Sequence, residues 1–504
     1  MFSIAYTAHA QSVTSEACSS TIAPQNAAPS VALGFHVEVV ANNLSRPRSI
    51  QFDSEGALLV VEASQGVRRI TLTGDGSCVR QDGATQNLTD NTSVSNHMIT
   101  RFVLCQNERA NDSQLNHGLA LSEDGRTLYA SSASAVFAWD YDATQGRTTS
   151  DSRQIVGDFG PTDGHVTRTL LLSRSVPGML LVSRGSGPNV DPRALDRSTA
   201  ISTIKAFNLT NATSEGYSYI DDGLLLGWGL RNSVGVAEEP VSGGIYSVEN
   251  SVDNFQRGTE LINENNPGEE MNFHGYLNGT QYEQQGGNYG YPTCYAAWNV
   301  SEIPDNEGIT TGSQFAIGIQ NDTVNDENCR GEHIAPRTTF QAHMAPIDIK
   351  FNTNGTGAWV TFRGSWNREA PIGYKVSFID FDGNGSPTAP SNSTNAAVDI
   401  VSNPDLSKCP DGCFRPAGMA WDSQGRLFFS SDATGEIYVI TREDGSGVNS
   451  VNQVTNGANG TGSGTGTPAV SSQAEGSSVA ATNKWKETSM WIVVAVALAV
   501  AFLE

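Results

Sequence analysis

One histidine stands where a strand that only has to pack would not need it. The stretch GHVTRTLLLS, residues 164–173, places His165 directly before an apolar run that predicts a buried strand. A neutral imidazole accepts a proton near neutral pH without a perturbed pKa, so a histidine at a loop end is a candidate general base. The competing interpretation is a hydrogen-bonded turn residue, and His165 alone does not separate the two.

Cationic and imidazole side chains recur just before other apolar runs of the chain. One arginine in such a place is usually a solvated or ion-paired group. A series of them aimed at one mouth of an otherwise acidic protein would focus a positive potential on a compact polyanion. The spacing therefore predicts a shared anion site. The residues in this phase are Arg48, His117, His165, Arg168, Arg231, Asn232, His343 and Arg415.

Short strands are the elements that would bring these residues together. Glycine is abundant, with 51 residues, and the apolar runs are short and followed at once by turn residues, which favours an all-β fold. A unit of turn, strand, polar loop and strand recurs six times, beginning at FDSEGALLVVE, LSEDGRTLYAS, LSRSVPGMLLV, VAEEPVSGGIY, FNTNGTGAWVT and WDSQGRLFFSS. Such units, each unable to bury its faces alone, predict a six-bladed β-propeller over residues 30–445.

Two further segments have predicted places in this propeller. The strand FHVEVVA, residues 35–41, would pair beside the last blade and close the ring, which removes exposed edges. The stretch 252–341, between the fourth and fifth copies, is expected to be an elaborated functional loop on one face.

Charge and cysteine content limit the partners and the compartment. With 30 Lys and Arg against 53 Asp and Glu, the formal net charge of −23 repels phosphate backbones, so nucleic acid is not an expected partner. The seven cysteines show no zinc-binding spacing and favour disulfides. The nearest partners are Cys409 with Cys413, Cys294 with Cys329 and Cys78 with Cys105, which would leave Cys18 unpaired; the sequence leaves this connectivity open.

The glycosylation sequons and both ends of the chain favour export. Residues 1–10 resemble a truncated signal peptide, and residues 446–489 are too poor in apolar residues to fold, which predicts a disordered Gly/Ser-rich stalk. Residues 490–504 follow a polar spacer and small residues, the pattern of a glycosylphosphatidylinositol attachment signal; the alternative is a tail anchor. We expect a secreted monomeric glycoprotein held at the cell surface by lipid. Its sequons include Asn87, Asn91, Asn208, Asn211, Asn299, Asn321 and Asn392.

A family resemblance rests on motifs that occur in order from about residue 30 to 445. They are RPRSIQF, GHVTRTLLL, GLRNSVGVAEEP, NYGYPTC, HMAPIDIKF, FRGSWNREAPIGYKV and FRPAGMAWDSQGRLFF. The series resembles the glucose/sorbosone dehydrogenases and is most similar to the fungal pyranose dehydrogenases that depend on pyrroloquinoline quinone (PQQ). The resemblance implies a six-bladed propeller, calcium, and a tricarboxylated quinone over the channel, which is a polyanion of the predicted kind.

The resemblance also implies roles for matching residues. His165 is similar to the general base that takes the proton of a sugar's anomeric hydroxyl while the C1 hydride passes to the quinone. Arg231 and Asn232 would contact the quinone oxygens near the reacting carbon. Calcium would be held by the main-chain carbonyls of Ser251 and Val252, with Glu249 and Asp253 as turn or supporting acids. The other implied cofactor contacts are Arg363 and Arg415 on the carboxylates, Arg48, His343, and Trp366 stacked near the ligand plane.

Two other functions remain open at this point. A calcium-dependent sugar lactonase would need Glu, Asn and Asp ligands around an activatable water, whereas the central positions here are cationic. A non-enzymatic propeller that binds glycans or proteins would use its histidines and arginines only as structure. The sequence shows neither the cytochrome domain nor the cellulose-binding module that relatives often carry. We therefore expect electrons to leave to an external acceptor, such as a cytochrome, a copper oxygenase or a small quinone.

Overall fold

The computed structural model describes residues 18, 21–89, 115–452 and 454, called the described part of the chain below. These residues belong to the first of two compact units, Met1–Gly457 and Ala458–Glu504. The predicted signal peptide, Cys105, Asn91 and the lipid-attachment segment lie outside the described residues. Within them, no helix is long and apolar enough to cross a membrane.

Six antiparallel sheets of four main strands form the blades of a propeller, which confirms the predicted fold. The first strand of each blade contacts the first strand of the next, and that of blade 6 contacts that of blade 1, so the ring closes. From the channel outward the strands are Pro47–Phe52, Leu58–Glu62, Gly66–Ile70 and Gln86–Asn87 in blade 1; Leu115–Leu121, Thr127–Ser132, Val136–Asp142 and Arg153–Gly157 in blade 2; Leu170–Leu172, Met179–Arg184, Thr203–Asn208 and Leu224–Trp228 in blade 3; Ser233–Glu238, Gly244–Glu249, Glu269–Tyr276 and Thr338–Phe340 in blade 4; Pro346–Phe351, Gly357–Phe362, Lys375–Asp380 and Ala397–Ser402 in blade 5; and Pro416–Trp421, Leu427–Ser431, Glu436–Arg442 and Phe35–Ala41 in blade 6.

The strand Phe35–Ala41 pairs antiparallel with Glu436–Arg442, as the sequence predicted. The last blade is thus completed by an early strand, which holds the two ends of the ring together. Segment 252–341 differs from the predicted single loop, because it contains the third and fourth strands of blade 4. Part of the remainder packs in an apolar cluster that includes Phe255, Tyr295 and Phe315 together with Ala194 and Ile201 from outside the segment.

Smaller elements decorate the blades. The strands Ser30–Val31 and Tyr217–Ser218 extend the edges of blades 5 and 2. One α-helix, Asp326–Glu332, occurs in the described residues. The remaining elements are the strands Leu72–Thr73, Arg80–Gln81, Arg147–Thr148, Gln256–Arg257, Glu260–Leu261, Cys294–Ala296 and Gln314–Ala316 and the 3-10 helices Pro192–Leu195, Arg197–Thr199, Leu209–Asn211, Val300–Glu302 and Leu406–Lys408.

The core is divided among the contacts between neighbouring blades. Strands such as Leu58–Glu62 and Gly357–Phe362 are buried at every residue, because each blade is covered on both faces. The cluster between blades 5 and 6 contains Trp359 and also Val448 and Val451. The propeller therefore continues past the predicted boundary at residue 445, since these two valines fill its outer core.

Three disulfides are present among the described residues: Cys18–Cys78, Cys294–Cys329 and Cys409–Cys413. The last two confirm the sequence prediction, whereas the pairing of Cys78 with Cys105 was wrong. Cys18 reaches Cys78 because the segment that follows it runs along the closing strand, where Ile22 bridges Val39. This pairing depends on the tertiary course of the N-terminal segment.

Candidate active site

All first strands run away from the same end of the ring, so the residues that precede them meet at that end. There they surround a cavity of about 340 Å³. Its floor includes the apolar residues Val234 and Ile347, which pack with Ala417 from a third blade. The predicted site residues that line this cavity are Arg48, His165, Arg231, Asn232, Ser251, His343, Arg363, Trp366 and Arg415.

His165 is held with one ring nitrogen free of protein partners in the described part of the chain. Its Nδ1 lies 3.0 Å from both the carbonyl oxygen and Oγ of Ser186. Because a carbonyl oxygen only accepts hydrogen bonds, Nδ1 carries the proton and Nε2 keeps its lone pair. Burial, followed by the charge of Arg231, lowers the pKa of His165 to about 4. The imidazole is therefore a neutral proton acceptor at neutral pH.

The close approach of His165 and Asn232 requires a glycine at position 185. A Cβ on Gly185 would lie 2.6 Å from Asn232 Oδ1 and 2.8 Å from His165 Cβ. No real side chain tolerates such contacts, so the missing side chain of Gly185 is what lets blades 3 and 4 bring these two residues together.

Arg231 is held by Asn189, which the sequence did not indicate, and by the two predicted supporting acids, Glu249 and Asp253. It is 5% exposed, and its Nε and Nη2 donate to the main-chain and side-chain oxygens of Asn189 at 3.0 and 2.8 Å. Its backbone N–H donates to Glu249 Oε1 at 2.7 Å. Asp253 Oδ2 lies 3.5 Å from Nη2. These contacts determine the direction of the guanidinium before any ligand is bound.

On the opposite wall, three guanidinium groups lie around one carboxylate, which pairs with two of them. Asp432 accepts from Arg48 Nη1 at 2.5 Å and from Arg363 Nε at 2.8 Å. Arg415 instead donates to the carbonyls of Arg363 and Gly364, at 3.1 and 2.6 Å. Three positive groups against one negative group leave this wall cationic, as a polyanion requires. Asp432 was missed, because nothing in the sequence around it points to a distant arginine.

The wall beside Arg231 is nearer to charge balance. His343 Nδ1 lies 3.4 Å from Asp253 Oδ1, and its Nε2 donates to the Asn263 carbonyl at 2.6 Å. Although burial opposes it, the hydrogen bond to Asp253 raises the pKa of His343. Glu269 accepts N–H groups from Ser251 at 2.6 Å and Ala345 at 3.1 Å. Burial raises the pKa of Glu269.

Two of the residues predicted to share the mouth do not line the cavity. His117 is 2% exposed and accepts a hydrogen bond from Arg48 Nε at 3.2 Å. Arg168 is 1% exposed and donates to the carbonyls of His165 and Thr167 at 2.9 and 2.8 Å. The phase argument was wrong for both, because their side chains turn into the blades, where they support cavity residues.

The remaining predicted residues are the calcium ligands Ser251 and Val252 and the cofactor contact Trp366. Val252 does not line the cavity, and its side chain is buried with Phe255 in an apolar cluster. Among the described residues, no donor hydrogen-bonds to the carbonyl oxygens of Ser251 or Val252, and carbonyl oxygen is a ligand type that calcium accepts. No group of three or more His, Cys, Asp or Glu in this part of the chain could hold a metal. Trp366 is 69% exposed at the mouth of the cavity.

Comparison with known proteins supports the same fold. A family profile described as TrAA12-like matches residues 29–443. A "Pyrroloquinoline quinone-dependent sugar dehydrogenase" of Hypocrea jecorina is 45% identical over 425 residues, 83% of this chain and 91% of that protein. The "Calcium structure of Trichoderma reesei Carbohydrate-Active Enzymes Family AA12" has a TM-score of 0.77 and 44% identity, covering 84% of this chain and 100% of that one. The "Holo form of Pyranose Dehydrogenase PQQ domain from Coprinopsis cinerea" has a TM-score of 0.74 and 31% identity, covering 84% and 99%.

Proposed function

The chain belongs to the TrAA12-like family of PQQ-dependent sugar dehydrogenases, and we propose that, within this class, it oxidises the anomeric hydroxyl of a pyranose with PQQ and calcium. The observation that carries the proposal is the pairing, in one cavity, of a neutral His165 with a cationic wall. Without the cationic wall, nothing in the cavity would hold an anionic cofactor beside the base. Such a wall without a base would only bind anions.

The residues on the two walls fit PQQ. Arg48, Arg363 and Arg415 present guanidinium groups, which pair with carboxylates through two parallel hydrogen bonds. Arg231 and Asn232 lie on the facing wall, where they would contact the quinone oxygens. Ser251 lines the cavity and Val252 is the next residue in the chain; their carbonyls are the groups that would hold calcium. PQQ, when bound, would supply the acceptor for the hydride.

The chain itself supplies the base and its orientation. His165 Nε2 takes the proton of the anomeric hydroxyl, while Ser186 holds the ring through Nδ1. Its lowered pKa keeps the imidazole unprotonated throughout the neutral range, so the Nε2 lone pair is available. Arg231, oriented by Asn189, would stabilise the negative charge that grows on the quinone oxygens as the hydride is transferred from C1.

We further propose that the protein is secreted, glycosylated and anchored at the cell surface, and that it passes electrons to an external acceptor. Three disulfides support an oxidising compartment. The sequon residues Asn87, Asn211, Asn321 and Asn392 are exposed, as attachment of a glycan requires.

Reconstitution of the purified apoprotein tests the enzymatic proposal. PQQ and calcium are added, and dye reduction is followed with a panel of pyranoses. Saturable uptake of PQQ and sugar-dependent bleaching of the dye are expected. A protein that binds no PQQ, or that hydrolyses sugar lactones instead, would contradict the proposal. Omission of calcium should lower turnover, which tests the metal separately.

A further inference from the structure

Asp432 is the one acidic residue within ion-pair distance of Arg48 and Arg363 in the described chain. It follows the second strand of blade 6 directly and is 8% exposed. Arg48 reaches it from blade 1 and Arg363 from the end of the second strand of blade 5. Its own N–H donates to the Arg415 carbonyl at 3.2 Å. Asp432 therefore connects three consecutive blades. Its carboxylate pairs with side chains from blades 5 and 1, and its N–H binds the backbone within blade 6.

Asp432 itself does not line the cavity, so it acts on a ligand only through the arginines. Its contacts use Nη1 of Arg48 and Nε of Arg363, which leaves other N–H groups of both guanidinium groups for a ligand. Without a shared anion, the two positive groups would repel each other and move apart. Although burial opposes it, the charges of Arg48 and Arg363 lower the pKa of Asp432, so it remains an anion.

A second brace acts on Arg48 alone. His117, on the first strand of blade 2, accepts a hydrogen bond from Arg48 Nε at 3.2 Å. Burial, followed by the charge of Arg48, holds the pKa of His117 well below its ordinary value, so the ring is a neutral acceptor. Arg48 is thus fixed from both sides, by an anion on blade 6 and by a neutral imidazole on blade 2.

We infer that Asp432 is a positioning residue that arranges Arg48 and Arg363 in advance for the carboxylates of the cofactor. The inference rests on the proposed function, because the ligand it names is PQQ. Preorganisation matters because each long side chain ordered only on binding reduces affinity, by about threefold to tenfold per side chain. Asp432 has a second, opposing effect, since its charge partly cancels the attraction of the wall for an anion.

The two effects separate in Asp432→Asn. This variant frees both arginines, which weakens PQQ binding, and adds one net positive charge, which strengthens it. At physiological ionic strength the charge is screened, so the PQQ dissociation constant should rise about tenfold. At low ionic strength the Debye length reaches about 30 Å, so the added positive charge attracts PQQ more strongly. The dissociation constants of the variant and of wild type should then differ less. Quenching of intrinsic tryptophan fluorescence by PQQ measures the dissociation constant at each ionic strength without turnover.

Asp53→Asn is the matched control. Asp53 also forms a buried ion pair, with Arg69 Nε at 2.9 Å, but far from the cavity lining. Its loss should lower the melting temperature without changing the PQQ dissociation constant or its salt dependence. His117→Leu, whose side chain has no hydrogen-bond acceptor, is a second variant, useful also if Asp432→Asn does not fold. It frees Arg48 at constant net charge, so binding should weaken about threefold with an unchanged salt dependence.

A readout that needs no PQQ is the melting temperature of the apoprotein in inorganic phosphate. Phosphate should stabilise Asp432→Asn more than wild type, because it replaces the missing anion. Wild-type binding of PQQ together with unchanged affinity and salt dependence in Asp432→Asn would overturn the inference alone. Absence of PQQ binding by wild type would instead overturn the proposed function, and the inference with it.

Discussion

Replacement of His165 by glutamine is expected to remove the proton acceptor and leave the cavity intact. Glutamine approximates the size of the imidazole and can still hydrogen-bond to Ser186, but its amide does not accept a proton at any ordinary pH. A positioned general base contributes about 10²- to 10⁴-fold to rate. We therefore expect turnover of the PQQ-loaded variant to fall by about that factor, with PQQ affinity changed little.

The pH dependence follows from the surroundings of His165. Its pKa is lowered from an ordinary value of 6.5 to about 4, so the active neutral form dominates above about pH 4 and is lost below it. An imidazole in water would instead be half protonated near pH 6.5. NMR titration of the apoprotein should give a midpoint near 4 and a proton on Nδ1 rather than Nε2.

Dye reduction in steady state, across pH and with wild type beside the variant, is the kinetic assay. His36→Gln is the control, because His36 is a partly exposed histidine that does not line the cavity and whose ring lies 3.1 Å from Glu38. Equal turnover in His165→Gln and wild type would refute the role of His165 as base. An apoprotein midpoint near 6.5 would refute the reasoning that burial and Arg231 keep the ring neutral.

Three further results are expected. Trp366→Ala should raise KM for sugars about threefold to tenfold with PQQ affinity unchanged, because this exposed ring stands at the mouth rather than the depth of the cavity; weaker PQQ binding at constant KM would assign the ring to the cofactor. Cys18→Ser with Cys78→Ser should lower the free energy of unfolding by about 3–4 kcal/mol, since a loop of 60 residues is no longer closed, and urea midpoints measure it. Burial lowers the pKa of His274 to about 3, so between pH 6.5 and 3 it binds a proton only in the unfolded state; the free energy of unfolding should therefore decrease by about 5 kcal/mol as the pH falls from 6.5 to 3, and His274→Asn should flatten this pH profile.

Much of the fold followed from local sequence. Six repeats of turn and strand predicted six blades, and the apolar FHVEVVA segment was correctly placed beside the last one. The segment 252–341 was harder to predict, because a long insertion separates the third and fourth strands of blade 4 there. Its two polar-flanked strands, Glu269–Tyr276 and Thr338–Phe340, do not repeat the spacing of the other copies.

The candidate site divides in the same way. The residues that precede the first strands, such as His165, Arg231 and Arg415, were identifiable because strand direction alone carries them to one end of the ring. His117 and Arg168 share this phase but turn inward, since the direction of a side chain at a strand end depends on what packs beside it.

The sequence by itself determined the number of blades, the closing strand and the type of charge that gathers at the mouth, because those depend on periodicities within a few residues. Only the tertiary structure decided which charges are paired. Asp432 forms an ion pair with Arg48, which lies 384 residues away in the chain, and Cys18 forms a disulfide with Cys78. Such contacts form when the ring closes, because closure brings its first and last blades together. They cannot be predicted from the sequence around either residue.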